Sequence, residues 1–203
     1  MCSYGGYIEI APLECRVMVQ KIGNSFYKHD AETLARDLIG AILVHRRRGR
    51  IYRARIVETE AYIGPHDLAS HSSKGRTKRT EVMFGPAGFA YVYLIYGMYE
   101  MFNIVAGKKG SGQAVLIRAA EPLGGWDADL SGPGKLTRAL GITRSMNGLD
   151  LTGNRLYLVP DPQYQPRIWR AKRIGIEYAG KWKHRKLRFF DDGSAAVTHR
   201  PSG

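Results

Sequence analysis

Two glutamates stand two residues apart in the segment Arg55–Tyr62, at positions 58 and 60. Their neighbours Ile56, Val57, Thr59, Ala61 and Tyr62 are β-branched, small or aromatic, and read as a strand. Alternate side chains of a strand share a face, so Glu58 and Glu60 point one way and Val57, Thr59 and Ala61 the other. Carboxylates this close repel, so at least one needs a cation beside it or a raised pKa. Cross-strand pairing with the arginines of Arg46–Arg50 would satisfy both without any chemistry. The other reading makes one of them a general base that activates a water. Alternation does not say which one.

A second concentration of reactive surface is Phe89–Asn103, with four tyrosines and two phenylalanines in fifteen residues. Phe89–Ile95 and Tyr99–Val105 have strand composition, and Tyr96, Gly97 and Met98 between them suit a hairpin turn. Gly97 can supply the positive φ of a tight turn. Tyr96 then sits at an exposed tip of a chain whose formal net charge is +13 and whose pI is near 9.9. An aromatic wedge on a basic surface fits insertion between nucleic-acid bases. The plain alternative is that these tyrosines are half-buried strand residues.

Other chemistries find little support. The six histidines, at 29, 45, 66, 71, 184 and 199, form no ligand cluster, so no metal is expected. Gly132–Lys135 has the look of a phosphate loop, but Asp129 stands where its first glycine belongs and Leu136 replaces the Ser or Thr that would hold magnesium. It reads instead as a helix N-terminus, which can still hold a phosphate through free N–H groups. No Ser-His or Cys-His pair suggests covalent catalysis. No cofactor is implied.

The elements that must position these residues follow from pattern. Asp30 caps a helix over Ala31–Leu38 that Gly40 stops. Ala41–His45 and Ile51–Tyr62 are strands joined by the basic turn Arg46–Arg50. Asp67–His71 gives at most one helical turn, and Ser72–Thr80 is a basic loop. Ala114–Ala120 is a strand closed by Glu121 and Pro122, and Gly132–Gly141 is a helix with proline in its first turn. Arg155–Val159 and Ile174–Glu177 read as strands, Arg167–Arg188 is basic and interleaved with Trp169, Tyr178 and Trp182, and the last dozen residues read as frayed. Strands outnumber helices and hairpin-length loops join them. The expected fold is therefore α+β, a single domain with a curved, mainly antiparallel, open-barrel-like sheet, packed helices and a protruding β-hairpin.

The 203 residues fit one domain large enough to bury a core, residues 24–203, behind a weakly patterned and disordered leader, residues 1–23. Cys2 and Cys15 fall in that leader and define no disulfide framework. The basic balance implies a polyanionic partner, nucleic acid before an acidic membrane surface. No run is long enough to span a membrane and no secretory signal is evident, so a cytoplasmic or nucleoid location is expected, nuclear in a eukaryote.

Several runs, taken together and in order, carry a family resemblance: Leu34–Gly40, Ile56–Tyr62, Tyr91–Tyr99, Val115–Pro122, Gly132–Leu136 and Arg173–Ile176. On these the chain resembles the alkyladenine DNA glycosylases, the 3-methyladenine/methylpurine glycosylase family of base-excision repair. The resemblance covers roughly residues 24–190. It implies a monomer whose hairpin enters the minor groove of double-stranded DNA. The damaged purine is flipped out and its N-glycosidic bond is hydrolysed by water. The implied substrates are the alkylated or deaminated purines 3-methyladenine, 7-methylguanine, hypoxanthine and ethenoadenine.

Residue by residue, the resemblance makes Glu60 the general base and Arg118 the arginine that helps hold the water. Tyr62 forms one wall of the base pocket, and His71 with Tyr93 the other. Tyr96 is the wedge that replaces the flipped nucleotide. Asn103 crowds the guanine 2-amino group, Leu116 is a groove contact, and the backbone carbonyl near Ile176 completes the water site. Ala114 departs from the pattern, since a vertebrate member has cysteine there. An arginine near Glu60 would keep that carboxylate ionised at neutral pH. Basic residues at 46–50, 74–79 and 167–188 would contact phosphates. The rival readings are a catalytically silent lesion-binding relative, a single-strand or RNA-binding module that stacks bases on its tyrosines, and a structural ribosome-associated protein. The last explains the charge but not the Glu58–Glu60 strand.

Overall fold

The computed structural model describes residues 7–9 and 18–200. Most of the expected leader, with Cys2 and Cys15, lies outside the described residues. Its described stretches, β1 (Tyr7–Glu9) and β2 (Met18–Gln20), pair antiparallel. A short helix α1 (Asn24–Tyr27) follows, then α2 (Ala31–Asp37), β3 (Ile42–Arg47) and β4 (Arg50–Tyr62). The chain continues through β5 (Ala90–Ile95), β6 (Tyr99–Ala106), β7 (Gln113–Leu123) and α3 (Pro133–Leu140). It closes with β8 (Leu156–Val159), β9 (Ile168–Ala171) and β10 (Arg188–Asp191). Short 3-10 turns cover His71–Lys74, Glu81–Phe84, Arg144–Met146 and Glu177–His184.

Eight of these strands form one curled antiparallel sheet in the order β5-β6-β7-β4-β10-β9, with β3 beside the first half of β4 and β8 beyond it. The helices cover one face. Asp30 caps α2 by accepting from the backbone N–H of Glu32 and Thr33. Leu34 and Leu38, one turn apart, go into the core with Leu136 and Leu140 of α3. There they meet Ile56, Ala61, Ile104 and Ile117 of the sheet. Each fully buried aliphatic side chain contributes about 1.5–3 kcal/mol. The fold is α+β, as the pattern of elements implied.

The opposite face carries the polar residues, and strand register sets them in a row. Tyr91 pairs with Asn103, Asn103 with Leu116, Leu116 with Glu60, Glu60 with Arg188, and Arg188 with Ala171. One line therefore crosses β5, β6, β7, β4, β10 and β9.

Between β4 and β7 the register slips twice and recovers. Ile56 opposes Ala120, Glu58 opposes Ala119, and Thr59 opposes Ile117. Val57 on β4 and Arg118 on β7 are each skipped. Paired bulges of this kind bend strands and re-aim side chains. One consequence corrects the simple alternation. Val57 does not share the face of Ala61, but packs with Ala119, Ala171, Phe190 and Val197 in a separate cluster. Thr59 does turn to the helix side, where its hydroxyl donates to the Ala35 carbonyl at 2.7 Å.

Four further expectations are overturned. Ile174–Glu177 is not a strand; the strand in that region is β9, six residues earlier, and the apolar side chains of Ile174 and Ile176 instead line a pocket. β7 does not close at Glu121, because Glu121 and Pro122 keep register with Arg55 and Ala54. The tail is not frayed throughout, since Ser194 and Val197 are buried. The glutamates of β4 take no partner from Arg46–Arg50; their arginines come from β7 and β10.

Candidate active site

The β5–β6 hairpin turns at Tyr96 and Gly97, with φ of 52° and 71°. The Met98 N–H donates to the Ile95 carbonyl at 3.2 Å. Two consecutive left-handed residues match the twist of a hairpin, and Gly97 adopts that state freely. Tyr96 does not, and it holds this conformation with its side chain 81% exposed. Just past its turn, the hairpin is held by α3. A Cβ on Gly134 would lie 2.8 Å from Tyr99 Cδ1, so only glycine lets the first turn of α3 approach so closely. Thr137 then donates its hydroxyl to the Glu100 carbonyl at 2.9 Å.

Below the hairpin lies a cavity of about 170 Å³. It is smaller than the ~300–1,000 Å³ typical of pockets for drug-sized ligands. Glu60 and Arg118 form part of its lining, as do Tyr62, His71, Tyr93, Tyr96, Asn103, Leu116 and Ile176. All nine residues that the resemblance assigned thus line one cavity, drawn from four strands, the hairpin turn and two further loops.

Glu60 has no exposed surface. Its Oε1 accepts from the Ile174 N–H at 2.8 Å and lies 3.5 Å from Arg118 Nη1. Its Oε2 accepts from the Tyr62 hydroxyl at 2.9 Å. Burial, and then the charge of Glu60, push the Tyr62 phenol well above its ordinary pKa, so it stays a donor. Each carboxylate oxygen is held, and one cation stands off from it by more than a tight charge-assisted bond of about 2.7–2.9 Å.

The other wall is aromatic. The His71 and Tyr93 ring centroids are 4.4 Å apart with planes at 65°, and Tyr91 and Tyr93 are 5.3 Å apart. His71 Nδ1 is hydrogen-bonded to the Tyr91 hydroxyl at 2.9 Å. Burial, and then the nearby Arg79 guanidinium, lower the His71 pKa to about 4, so the ring is neutral at physiological pH. Burial raises the Tyr91 phenol to about 12 and holds Tyr93 still further above its ordinary value. Asn103 spends its amide N–H groups on the Tyr91 and Met101 carbonyls, at 3.2 and 3.3 Å, and so is fixed in place. Leu116 is buried between Asn103 and Glu60 in the register row.

Near Ile176, the backbone that touches Glu60 belongs to Ile174, while the Ile176 carbonyl accepts from the Ala179 N–H at 2.9 Å.

Several residues that matter here were not assigned from the sequence. Arg173 is buried and binds Asp67 and the Ala61 carbonyl, and its guanidinium lies 4.8 Å from the Tyr62 ring centroid. Arg188 is buried against Glu58. Both lie in a basic run read as phosphate contacts, and burial removes them from that role. Tyr178 lines the mouth of the cavity and is 71% exposed. Only the mixture of aromatic and basic residues in 167–188 hinted at it.

The arrangement is a neutral aromatic slot closed at one end by a buried carboxylate. It can accept a flat ring, favour positive charge on it, and remove a proton from a small molecule at the closed end.

Comparison with known proteins agrees with this chemistry. A model of the family described as methylpurine-DNA glycosylase matches residues 25–195. A protein of Anaeromyxobacter sp. (strain Fw109-5) is 50% identical over 182 residues, covering 89% of this chain and 94% of its own length. One from Myxococcus xanthus (strain DK1622) is 49% identical, with 87% and 93% covered. One from Desulfitobacterium hafniense (strain Y51) is 43% identical, with 89% and 99% covered. All three bear the name "Putative 3-methyladenine DNA glycosylase".

Proposed function

Because the chain belongs to the methylpurine-DNA glycosylase family, we propose that it is a DNA-3-methyladenine glycosylase, a monofunctional hydrolase of base-excision repair. It acts as a monomer on double-stranded DNA that carries 3-methyladenine, 7-methylguanine, hypoxanthine or ethenoadenine. A DNA substrate places its work at the nucleoid.

One observation carries the reading. Glu60 is wholly buried at the closed end of an aromatic slot, held by the Tyr62 hydroxyl and the Ile174 N–H, with Arg118 standing 3.5 Å away. A base stacked in a duplex cannot reach such a position. The nucleotide must swing out, at a cost of a few kcal/mol in lost stacking and pairing. Tyr96, at the exposed tip, fills the vacated space and offsets part of that cost. The purine enters between Tyr62 on one side and His71 with Tyr93 on the other. Alkylation at N3 or N7 makes the ring cationic, and a cation against these faces gains about 0.5–2 kcal/mol.

Glu60 takes a proton from a water held with the help of Arg118. The water oxygen bonds to the sugar C1′ as the bond from C1′ to the purine nitrogen breaks. The electron pair of that bond goes to the base, and an alkylated purine leaves neutral. A water nucleophile leaves an intact abasic site, with no lyase step.

The test is release of free base from a duplex with one hypoxanthine or ethenoadenine, and from methylated DNA, by wild type and by Glu60→Gln. Wild type should leave alkali-labile abasic sites, and Glu60→Gln should still bind the lesion while cutting on the order of 10²–10⁴ times more slowly. Equal cutting by both would remove Glu60 from the base role. Lesion binding with no release by wild type would make the protein a silent lesion reader.

A further inference from the structure

Glu58 is the acid that the mechanism above leaves unused. It is 3% exposed, on the same face as Glu60 and two residues before it. Its Oε1 accepts from Arg188 Nη1 at 2.6 Å and lies 3.5 Å from Arg118 Nε. The Nη1 of that same Arg118 is 3.5 Å from Glu60 Oε1. Arg188 is itself immobilised. Its Nε donates to the Lys172 carbonyl at 2.9 Å and its guanidinium lies 5.1 Å from the Phe190 ring centroid. Two acids and two arginines therefore alternate in one buried chain: Arg188, Glu58, Arg118, Glu60.

We infer that Glu58 is a positioning residue for base excision, one that holds Arg118 away from Glu60. The inference rests on the reading of Glu60 as the general base. Arg118 sits in the bulge of β7, free of the regular register, and is shared between two carboxylates without closing on either. An arginine with one buried carboxylate in reach closes on it in a short bidentate pair. Such a pair at Glu60 would occupy the oxygen that must accept the proton of water. It would also turn the guanidinium edge away from that water. Glu58, anchored by Arg188, holds the Nε side of Arg118 and keeps the gap open.

The charged and titratable groups around these atoms are few. Glu58 faces Arg118 of β7 and Arg188 of β10. Glu60 faces Arg118 and Tyr62, with Tyr93, Arg173 and Tyr178 within electrostatic reach. Removing the Glu58 charge acts on this set in one direction. Loss of a neighbouring negative charge favours ionised Glu60, and so does the closure of Arg118 upon it. Glu60 is then a weaker base toward water.

The experiment is single-turnover release of 7-methylguanine from a duplex with saturating enzyme, followed as a function of pH. The fixed charge of this lesion removes any need to protonate the leaving base, so the acidic limb of the profile reports the enzyme's base. Glu58→Gln is compared with wild type and with Glu58→Gln/Arg188→Met. The double variant carries no buried unpaired cation, so it folds even where the single variant does not.

In Glu58→Gln the acidic limb should move down by roughly one pH unit. In the double variant the loss of the Arg188 charge offsets part of this, and closure of Arg118 on Glu60 should still move the limb down. The plateau rate should be lower on the order of tenfold, and lesion affinity unchanged, in both. A limb that stays in place or moves up in the double variant overturns the proposal, leaving Glu58 as no more than the partner of Arg188. Wild type that releases no base sinks the glycosylase reading, and this one with it. Wild type that cuts, Glu60→Gln that does not, and an unmoved limb sink this one alone.

Discussion

Asp67 and Arg173 form an ion pair with no exposed side-chain surface on either partner, at 2.5 Å from Nη1 to Oδ2 and 2.8 Å from Nη2 to Oδ1. Asp67 comes from the loop after β4, and Arg173 from the loop after β9. The pair ties together the two segments that close the cavity. The next residue after Arg173 is Ile174, whose N–H donates to Glu60. Removing one partner leaves a buried charge alone, at a cost of about 3–5 kcal/mol. Arg173→Met should therefore lower stability by that amount in urea unfolding, and so should Asp67→Asn. The double variant should lose less than the two single losses added together. Base release should fall with Arg173→Met even at temperatures where the variant is fully folded, because the loop carrying Ile174 loses its anchor.

Tyr62 serves twice, as an aromatic wall and as the donor to Glu60 Oε2. Tyr62→Phe separates the two roles. The ring stays, and one hydrogen bond to a buried carboxylate goes, worth about 1.5–3 kcal/mol. Lesion affinity should hold within about twofold, while the single-turnover rate falls on the order of tenfold or more. Equal loss of affinity and rate would mean that the hydroxyl contributes to binding and does not orient Glu60.

What could be read from the sequence was local. The cap at Asp30, the turn at Gly97 and the end of α3 at Gly141 each depend on one residue and its neighbours. The shared face of Glu58 and Glu60 survived because the bulge on β4 skips Val57, which precedes both, and the second slip skips a residue of β7 instead. The same bulge defeated the placement of Val57, since period-two alternation assumes an unbroken ladder. Arg173 and Arg188 depart from the phosphate-contact expectation for a different reason. A basic run looks the same whether its arginines face water or a buried acid, and their partners Asp67 and Glu58 are 106 and 130 residues away. Ile174 and Ile176 read as strand residues because a cavity lining and a strand draw on the same side chains. Tyr96 as a wedge and the Glu58–Glu60 pair are legible in local pattern. The other site residues follow only from a resemblance over roughly residues 24–190, and no local pattern brings His71 and Leu116 to one cavity.

The left-handed backbone at Tyr96 makes a stability prediction with an opposite sign in function. A non-glycine residue there costs about 1–2 kcal/mol, and a side chain 81% exposed recovers little of it by burial. Asparagine tolerates this conformation far better. Tyr96→Asn should raise the urea midpoint, by about 0.5–1 kcal/mol in stability, while base release from duplex falls. Release from a single-stranded lesion should be affected much less, since no partner strand needs a wedge. A variant less stable than wild type would show that Tyr96 is anchored by contacts within the protein.

His71 ties the chemistry of the pocket to the acid stability of the fold. Its pKa falls from the ordinary 6.5 to about 4, through burial first and the charge of Arg79 second. Between these two values the unfolded chain binds a proton that the folded chain refuses. Stability therefore rises with pH across that window, is complete above about 6.5, and is lost as pH falls toward 4. The full effect is at most about 3 kcal/mol. Urea midpoints measured from pH 4 to 7.5 should fall on the acid side in wild type, and more shallowly in His71→Phe, which keeps an aromatic ring against Tyr93 but cannot titrate. Identical slopes would mean that the folded protein carries a protonated His71. That result would also count against the slot as a place for alkylated purines, because a cationic imidazolium 4.4 Å from Tyr93 would occupy the same electron-rich face that a cationic base needs and would repel the base itself. A neutral His71 is the condition under which both walls of the cavity attract positive charge.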